Sequence, residues 1–137
     1  MAERRMFSKN LMFSSSFVGL SKTAQVLYLF LCLQADDDGL CDNARGVCRM
    51  CGIGKKYLQE LVDGGWLMGF GSEIVAVTHW HIHNQIRKDR YKPSIHQEVA
   101  QQLLKCSDGR YVVAADGNQM ATNWQPSIDK IRKEKDR

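Results

Sequence analysis

The sequence predicts a mainly α fold with a small β-hairpin, and three observations carry that expectation. An apolar helical segment spans Lys22–Gln34. Two shorter amphipathic segments follow it, separated by Gly52-Ile53-Gly54. Two apolar runs, Trp66–Phe70 and Ile74–Thr78, then flank Gly71-Ser72-Glu73. Hydrophobic residues make up 44% of the 137, enough to bury a core without disulfide or metal support.

The elements follow in order. Phe7, Leu11, Met12, Phe13, Phe17 and Leu20 mark a segment that wraps a core, with a short helix around Ser15–Val18. Ser21 is a side-chain cap for a helix over Lys22–Gln34. The centre of that helix is apolar on all sides, the pattern of a buried core helix. Ala35–Asn43 reads as a turn with a short strand at Gly39–Cys41, and Asp42 or Asn43 caps the next helix. There Ala44, Val47, Cys48 and Cys51 fall at i, i+3, i+4 and i+7, one amphipathic stripe. Gly46 lies inside that helix and weakens it by about 1 kcal/mol relative to alanine. A third helix runs from Lys55 to about Asp63. Tyr57, Leu58, Leu61 and Val62 share its apolar face, and Gly64-Gly65 ends it. Two short helices joined by a turn and trailed by a hairpin are the pattern of a winged helix-turn-helix, here with flanking helices. Further on, Ile95, Val99 and Leu103 step by four and predict a helix over 94–104, while Arg110–Ala115 reads as a strand or a helix start. Residues 1–116 are therefore expected to form one domain, and 117–137 a flexible charged linker or tail.

The formal net charge is +4 and the pI about 8.9. This mild excess permits a nucleic-acid partner without demanding one. Its distribution says more: Asp36, Asp37, Asp38 and Asp42 cluster, whereas cations gather at 87–92 and 130–137. The five cysteines are odd in number, and the start MAERRMFSKN has no uninterrupted apolar run behind it, so reduced thiols in a cytoplasm are expected. The longest apolar run, Val26–Leu33, is too short to span a membrane.

Two groups of residues are candidates for DNA contact. Lys55, Lys56 and Gln59 lie on the polar face of the third helix, near its N-terminus, where a recognition helix offers side chains to base edges. Glu60 and Asp63 on that face repel phosphate, and taken alone the face reads as solvated surface. Arg87, Lys88, Arg90, Tyr91 and Lys92 form the second group, with cations to neutralise phosphates and a ring to stack. A charged surface turn, or an ion pair of Asp89 with an arginine, is the plainer reading of the same residues.

Other chemistry is weakly supported. His79, His81 and His83 alternate, and on a strand they would share a face, as a metal site needs. Cys48 and Cys51 form a CxxC pair, but both fall on the apolar stripe of a helix and no second close pair exists, so buried thiols are expected and no metal. The Asp36–Asp38 run lacks the glycine placement and terminal glutamate of a calcium loop. No phosphate-binding loop, GxSxG or GxGxxG motif is present, so neither an enzyme nor a cofactor is expected.

A resemblance adds to this reading. His79-Trp80, Ile82-His83-Asn84, Ile86 through Tyr91 and Pro93 resemble a signature of phage and prophage replication proteins, the replisome organizers or DnaD-like initiation proteins. MAERRMFSK, Ala24–Tyr28, Ala35–Gly39 and Asn123–Arg132 resemble segments of the same family. The resemblance implies an N-terminal winged-helix domain that binds double-stranded DNA in replication initiation, in the cytoplasm of a bacterial host. It also implies helicase loaders or other replisome proteins, and further copies of the chain, as partners, with no membrane. The middle of the chain departs from the family at Cys41, Arg45–Cys48 and Gly52–Gly54. Trp80, Ile82 and Ile86 are expected to anchor the signature to the core, and His83 and Asn84 to bond buried backbone. The alternative is an oligomerisation or replisome-docking module with little DNA affinity of its own.

Overall fold

A computed structural model describes residues 4–71 and 73–114. The linker expected over 117–137 lies outside the described residues.

Two one-turn helices, α1 (Lys9–Met12) and α2 (Ser15–Val18), lead into α3 (Lys22–Gln34). Each begins at a serine, Ser8, Ser14 or Ser21, whose side chain accepts a hydrogen bond from a backbone N–H of the first turn, satisfying a donor that the helix cannot. After a turn come β1 (Leu40–Cys41), α4 (Ala44–Cys51) and α5 (Lys55–Asp63), then the hairpin β2 (Leu67–Phe70) and β3 (Ile74–Val77). The sheet is antiparallel, in the order β1-β3-β2, with Leu40 opposite Ala76 and Met68 opposite Ala76 from the other side.

Asn43 rather than Asp42 caps α4, accepting from Gly46 N–H at 3.2 Å. A Cβ at position 46 would collide with that asparagine, so the helix-weakening glycine makes room for the cap. Cys48 is buried and Cys51 half-buried. The core is built from Leu27, Tyr28 and Leu31 of α3, Leu58 and Leu61 of α5, and Val75 and Val77 of β3, closed by Trp66 and Trp80.

Three expectations need correction. The helix α3 is not covered on all sides: Val26, Phe30 and Leu33 are 42%, 45% and 53% exposed. Nor do the alternating histidines lie on a strand. Residues Trp80–His83 form a one-turn helix, α6, closed by His83 N–H to His79 C=O at 3.1 Å. Finally, the helix expected over 94–104 shrinks to α7 (Gln97–Ala100) and is followed by β4 (Leu103–Lys105), which pairs antiparallel with β5 (Tyr111–Val113). The step of four failed because Ile95 is 79% exposed. Leu103 and Leu104 instead alternate inward and outward, the period of a strand. The molecule is thus a mixed α/β domain with a small antiparallel sheet and a second hairpin.

Candidate nucleic-acid interface

The N-terminus of α5 presents the first group. Gly54 gives no side-chain cap to this helix, and its first turn carries no acid. Lys55 and Lys56 are exposed, and Lys56 Nζ rests 5.0 Å from the centre of the Tyr57 ring. The uncapped turn leaves backbone N–H groups for an anion, which the helix dipole also favours. Gln59 is half-buried, and its Nε2 donates to Asp63 Oδ1 at 2.6 Å. Its amide is therefore already engaged one turn along the same helix.

Glu60 is also occupied. Its carboxylate accepts from Ser21 N–H at 2.9 Å and from Ser21 Oγ at 2.8 Å, at the N-terminus of α3. The negative charge that argued against phosphate contact is directed at a helix end that attracts it.

The second group sits elsewhere. Segment 87–94 is strapped across the Asp36–Asp38 turn. Tyr91 Oη donates to the Asp38 carboxylate at 2.7 Å, Lys92 N–H to Asp37 Oδ2 at 3.0 Å, and Ser94 N–H to Asp38 Oδ2 at 2.9 Å. Burial and Asp38 together raise the Tyr91 hydroxyl to about 12. Arg87 pairs with Asp89 at 3.1 Å, both side chains well exposed. The side chains of Lys88, Arg90 and Lys92 are exposed. The hydroxyl of Tyr91 thus holds the strap in place, while the cations around it face solvent.

The acidic turn is the larger surprise. Asp36 Oδ1 accepts from the N–H groups of Asp38 and Leu40, both at 3.0 Å, and so builds the turn from within. Asp37 is buried and meets Arg5 at 3.2 Å, with both side chains almost wholly covered. Its carbonyl accepts from Trp80 Nε1 at 3.0 Å, and that of Asp38 accepts from Tyr111 Oη at 2.7 Å. Gly39 has φ +81°, and a Cβ there would stand 2.5 Å from Trp80 Cγ. The turn therefore gathers the N-terminal arm, α6, the strap and β5. Sequence reasoning read it only as a turn, since its partners lie far off in the chain.

The histidines diverge. His83 accepts from Ser8 N–H at its Nδ1, 2.8 Å, so its proton sits on Nε2 and points at Tyr28 Oη, 2.8 Å. Burial, with His79 nearby, pulls His83 down to about 4. His81 Nε2 contacts Tyr111 Oη at 2.9 Å, and the His79 ring lies 4.7 Å from that of Trp66. Asn84 Oδ1 accepts from Met6 N–H at 2.7 Å. His83 and Asn84 thus accept from backbone N–H groups of the N-terminal arm, at half-buried Ser8 and exposed Met6 rather than at buried backbone. Among the described residues no group of His, Cys, Asp and Glu is placed to hold a metal ion, and no helix is long and apolar enough to cross a membrane.

Sequence reasoning also passed over Arg45 and Arg49. They are one helical turn apart on α4, Arg45 half-buried and Arg49 exposed. Their spacing by four was the available signal. No protein-family model, curated protein or solved structure matches the chain.

Proposed function

We propose that this protein binds duplex DNA as a winged helix-turn-helix and serves replication initiation in a phage or prophage, in the cytoplasm of its bacterial host. On this reading α4 and α5 are the helix-turn-helix and the β2–β3 hairpin is the wing. Lys55 and Lys56 approach the groove, with the exposed cations Arg87, Lys88, Arg90 and Lys92 as a second phosphate-facing group. The protein binds rather than catalyses, and a helicase loader or another replisome protein is its further partner. The observation that carries the DNA reading is the uncapped, acid-free first turn of α5 with its two exposed lysines, on the second of two helices joined through Gly52-Ile53-Gly54. The role in replication rests on the resemblance of segments 79–93 and 35–39 to replisome organizers.

The test is fluorescence anisotropy against a random duplex and an origin-like duplex from the same replicon, over about 50 to 200 mM salt. Binding that weakens steeply with salt is expected. It should weaken further in Lys55→Ala/Lys56→Ala and in the Arg87, Lys88 and Arg90 triple alanine variant. Preference for the origin duplex would add base readout. No binding by folded protein at the lowest salt overturns the reading.

One observation favours a second reading, an oligomerisation or docking module. Val26, Phe30 and Leu33 line an exposed apolar face of α3, and the one charge on that helix is Lys22. Large exposed apolar faces mark interaction sites. Sedimentation that shows a concentration-dependent oligomer, dispersed by Phe30→Glu and without DNA affinity, would select it.

A further inference from the structure

We infer that the phosphate backbone of duplex DNA is held on α4 as well as α5, by Arg45, Arg49, Lys55 and Lys56 acting as one cationic surface, with the β2–β3 hairpin contributing no cation. The inference rests on the DNA reading above and deepens it.

Charge bookkeeping comes first. Residues 44–59 hold these four cations and no acid, and the formal net charge of the whole chain is +4. Outside that stretch the remaining 15 Lys and Arg balance the 15 Asp and Glu. The whole two-helix unit, residues 44–63, adds Glu60 and Asp63 and so carries four cations against two acids.

The pairing of those cations is the second observation. Arg5 is committed to Asp37, Arg87 to Asp89 and Arg110 to Asp108. Among the described residues none of Arg45, Arg49, Lys55 and Lys56 takes part in an ion pair. Lys56 instead lies over the Tyr57 ring. The carboxylates of α5 are diverted: Glu60 to Ser21, and Asp63 to Gln59. A set of cations held on packed helices, with nearby acids turned to other partners, suits a polyanion whose charges repeat at short intervals.

The hairpin differs. From Trp66 to Thr78 the sequence has no Lys or Arg and one acid, Glu73, whose carbonyl accepts from Ala44 N–H at the start of α4. That contact ties the tip of the hairpin to α4. Between the hairpin and the two helices, phosphate contact therefore falls to the helices. A flexible acidic protein segment would meet the same cations, but the pair of lysines at an uncapped helix start offers backbone N–H groups at fixed spacing, which suits phosphate oxygens.

The decisive experiment compares the full chain with Arg45→Ala/Arg49→Ala by anisotropy on one duplex across salt, with circular dichroism melts to establish equal folding. Each phosphate contact contributes about 0.9 to the slope of log affinity against log salt. The variant should lose about 2 from that slope and weaken on all duplex sequences alike. Wild-type binding with an unchanged slope in the variant would overturn this inference and leave the DNA reading standing. Absence of wild-type binding would overturn both. Poly-glutamate that displaces the duplex at equal charge concentration would reassign the surface to an acidic protein partner.

Discussion

At the scale of single residues, His83 shows how a side chain in the signature stretch serves the core. Both ring nitrogens are used, one toward Ser8 and one toward Tyr28, and the ring packs edge-on against Phe7 at 5.4 Å. Protonation would place a second proton on Nδ1, where the Ser8 N–H already points. In the unfolded chain a histidine titrates near 6.5, whereas in the fold His83 stays neutral down to about 4. Between those values the unfolded state binds more protons. The stability that neutral His83 contributes is therefore complete above about pH 6.5 and drains away as pH falls toward 4. The loss should be of order 2 kcal/mol once partial solvent access is allowed for. Urea denaturation of wild type and His83→Gln at neutral and acid pH measures it. The variant should be weaker at neutral pH and show a shallower acid loss; equal losses in both proteins would place the acid sensitivity on another group. That His83 and Asn84 turn inward was readable from their place beside Trp80, although Ile82 and Ile86, expected as further anchors, stay outside the buried core. The partner atoms, in the N-terminal arm, were not readable.

At the scale of elements, α2 through β3 were legible and α6 and β4 were not, while α7 was read too long and β5 only as a strand or a helix start, for a physical reason. Helices α3, α4 and α5 announce themselves by caps, glycine stops and a 3.6-residue period within a short window. The one-turn α6 has no side-chain cap hydrogen bond and forms because Trp80 and His83 are fixed by remote contacts. Strand β4 shares its apolar spacing with a helix until its partner β5 is known. The junction of α3 with α5 was equally hidden, and it allows a sharp test. Ser21 Oγ accepts from Ala24 N–H at 3.1 Å while donating to Glu60, so one carboxylate extends a helix cap from a neighbouring helix. Glu60→Ala should cost about 1–2 kcal/mol in chemical denaturation, the worth of a cap with a charge-assisted hydrogen bond. On the proposed DNA reading, where Glu60 repels phosphate, its removal should leave DNA affinity equal or higher at fixed salt. A loss of affinity in a folded Glu60→Ala protein would mean that this carboxylate itself positions the interface.

At the scale of the whole molecule, the fold closes on the Asp36–Asp38 turn, and the N-terminal arm is its clasp. Arg5 reaches Asp37 and the Ala35 carbonyl, and its guanidinium stands 5.0 Å over the Trp80 ring. Met6 and Ser8 then donate backbone hydrogen bonds to Asn84 and His83. The acidic run that looked like a surface turn is thus the point where the first and last described segments meet. Three adjacent residues could not reveal that, since their charges are answered by Arg5, Tyr91 and backbone N–H groups from far along the chain. The same geometry explains why the two basic groups differ in kind: the strap is anchored to acids, whereas the α4–α5 unit is not. Arg5→Met keeps much of the apolar contact with Trp80 and removes a buried cation from Asp37. Breaking such a pair costs on the order of 3 kcal/mol, and the loss should appear as a lower urea midpoint with an unchanged m-value. Arg5→Lys should recover little of it, because a single ammonium cannot serve Asp37 and the Ala35 carbonyl with the guanidinium fork geometry. Near-wild-type stability in Arg5→Lys would reduce the role of Arg5 to charge alone. A drop in m-value with Arg5→Met would instead mean that the arm unfolds separately from the rest.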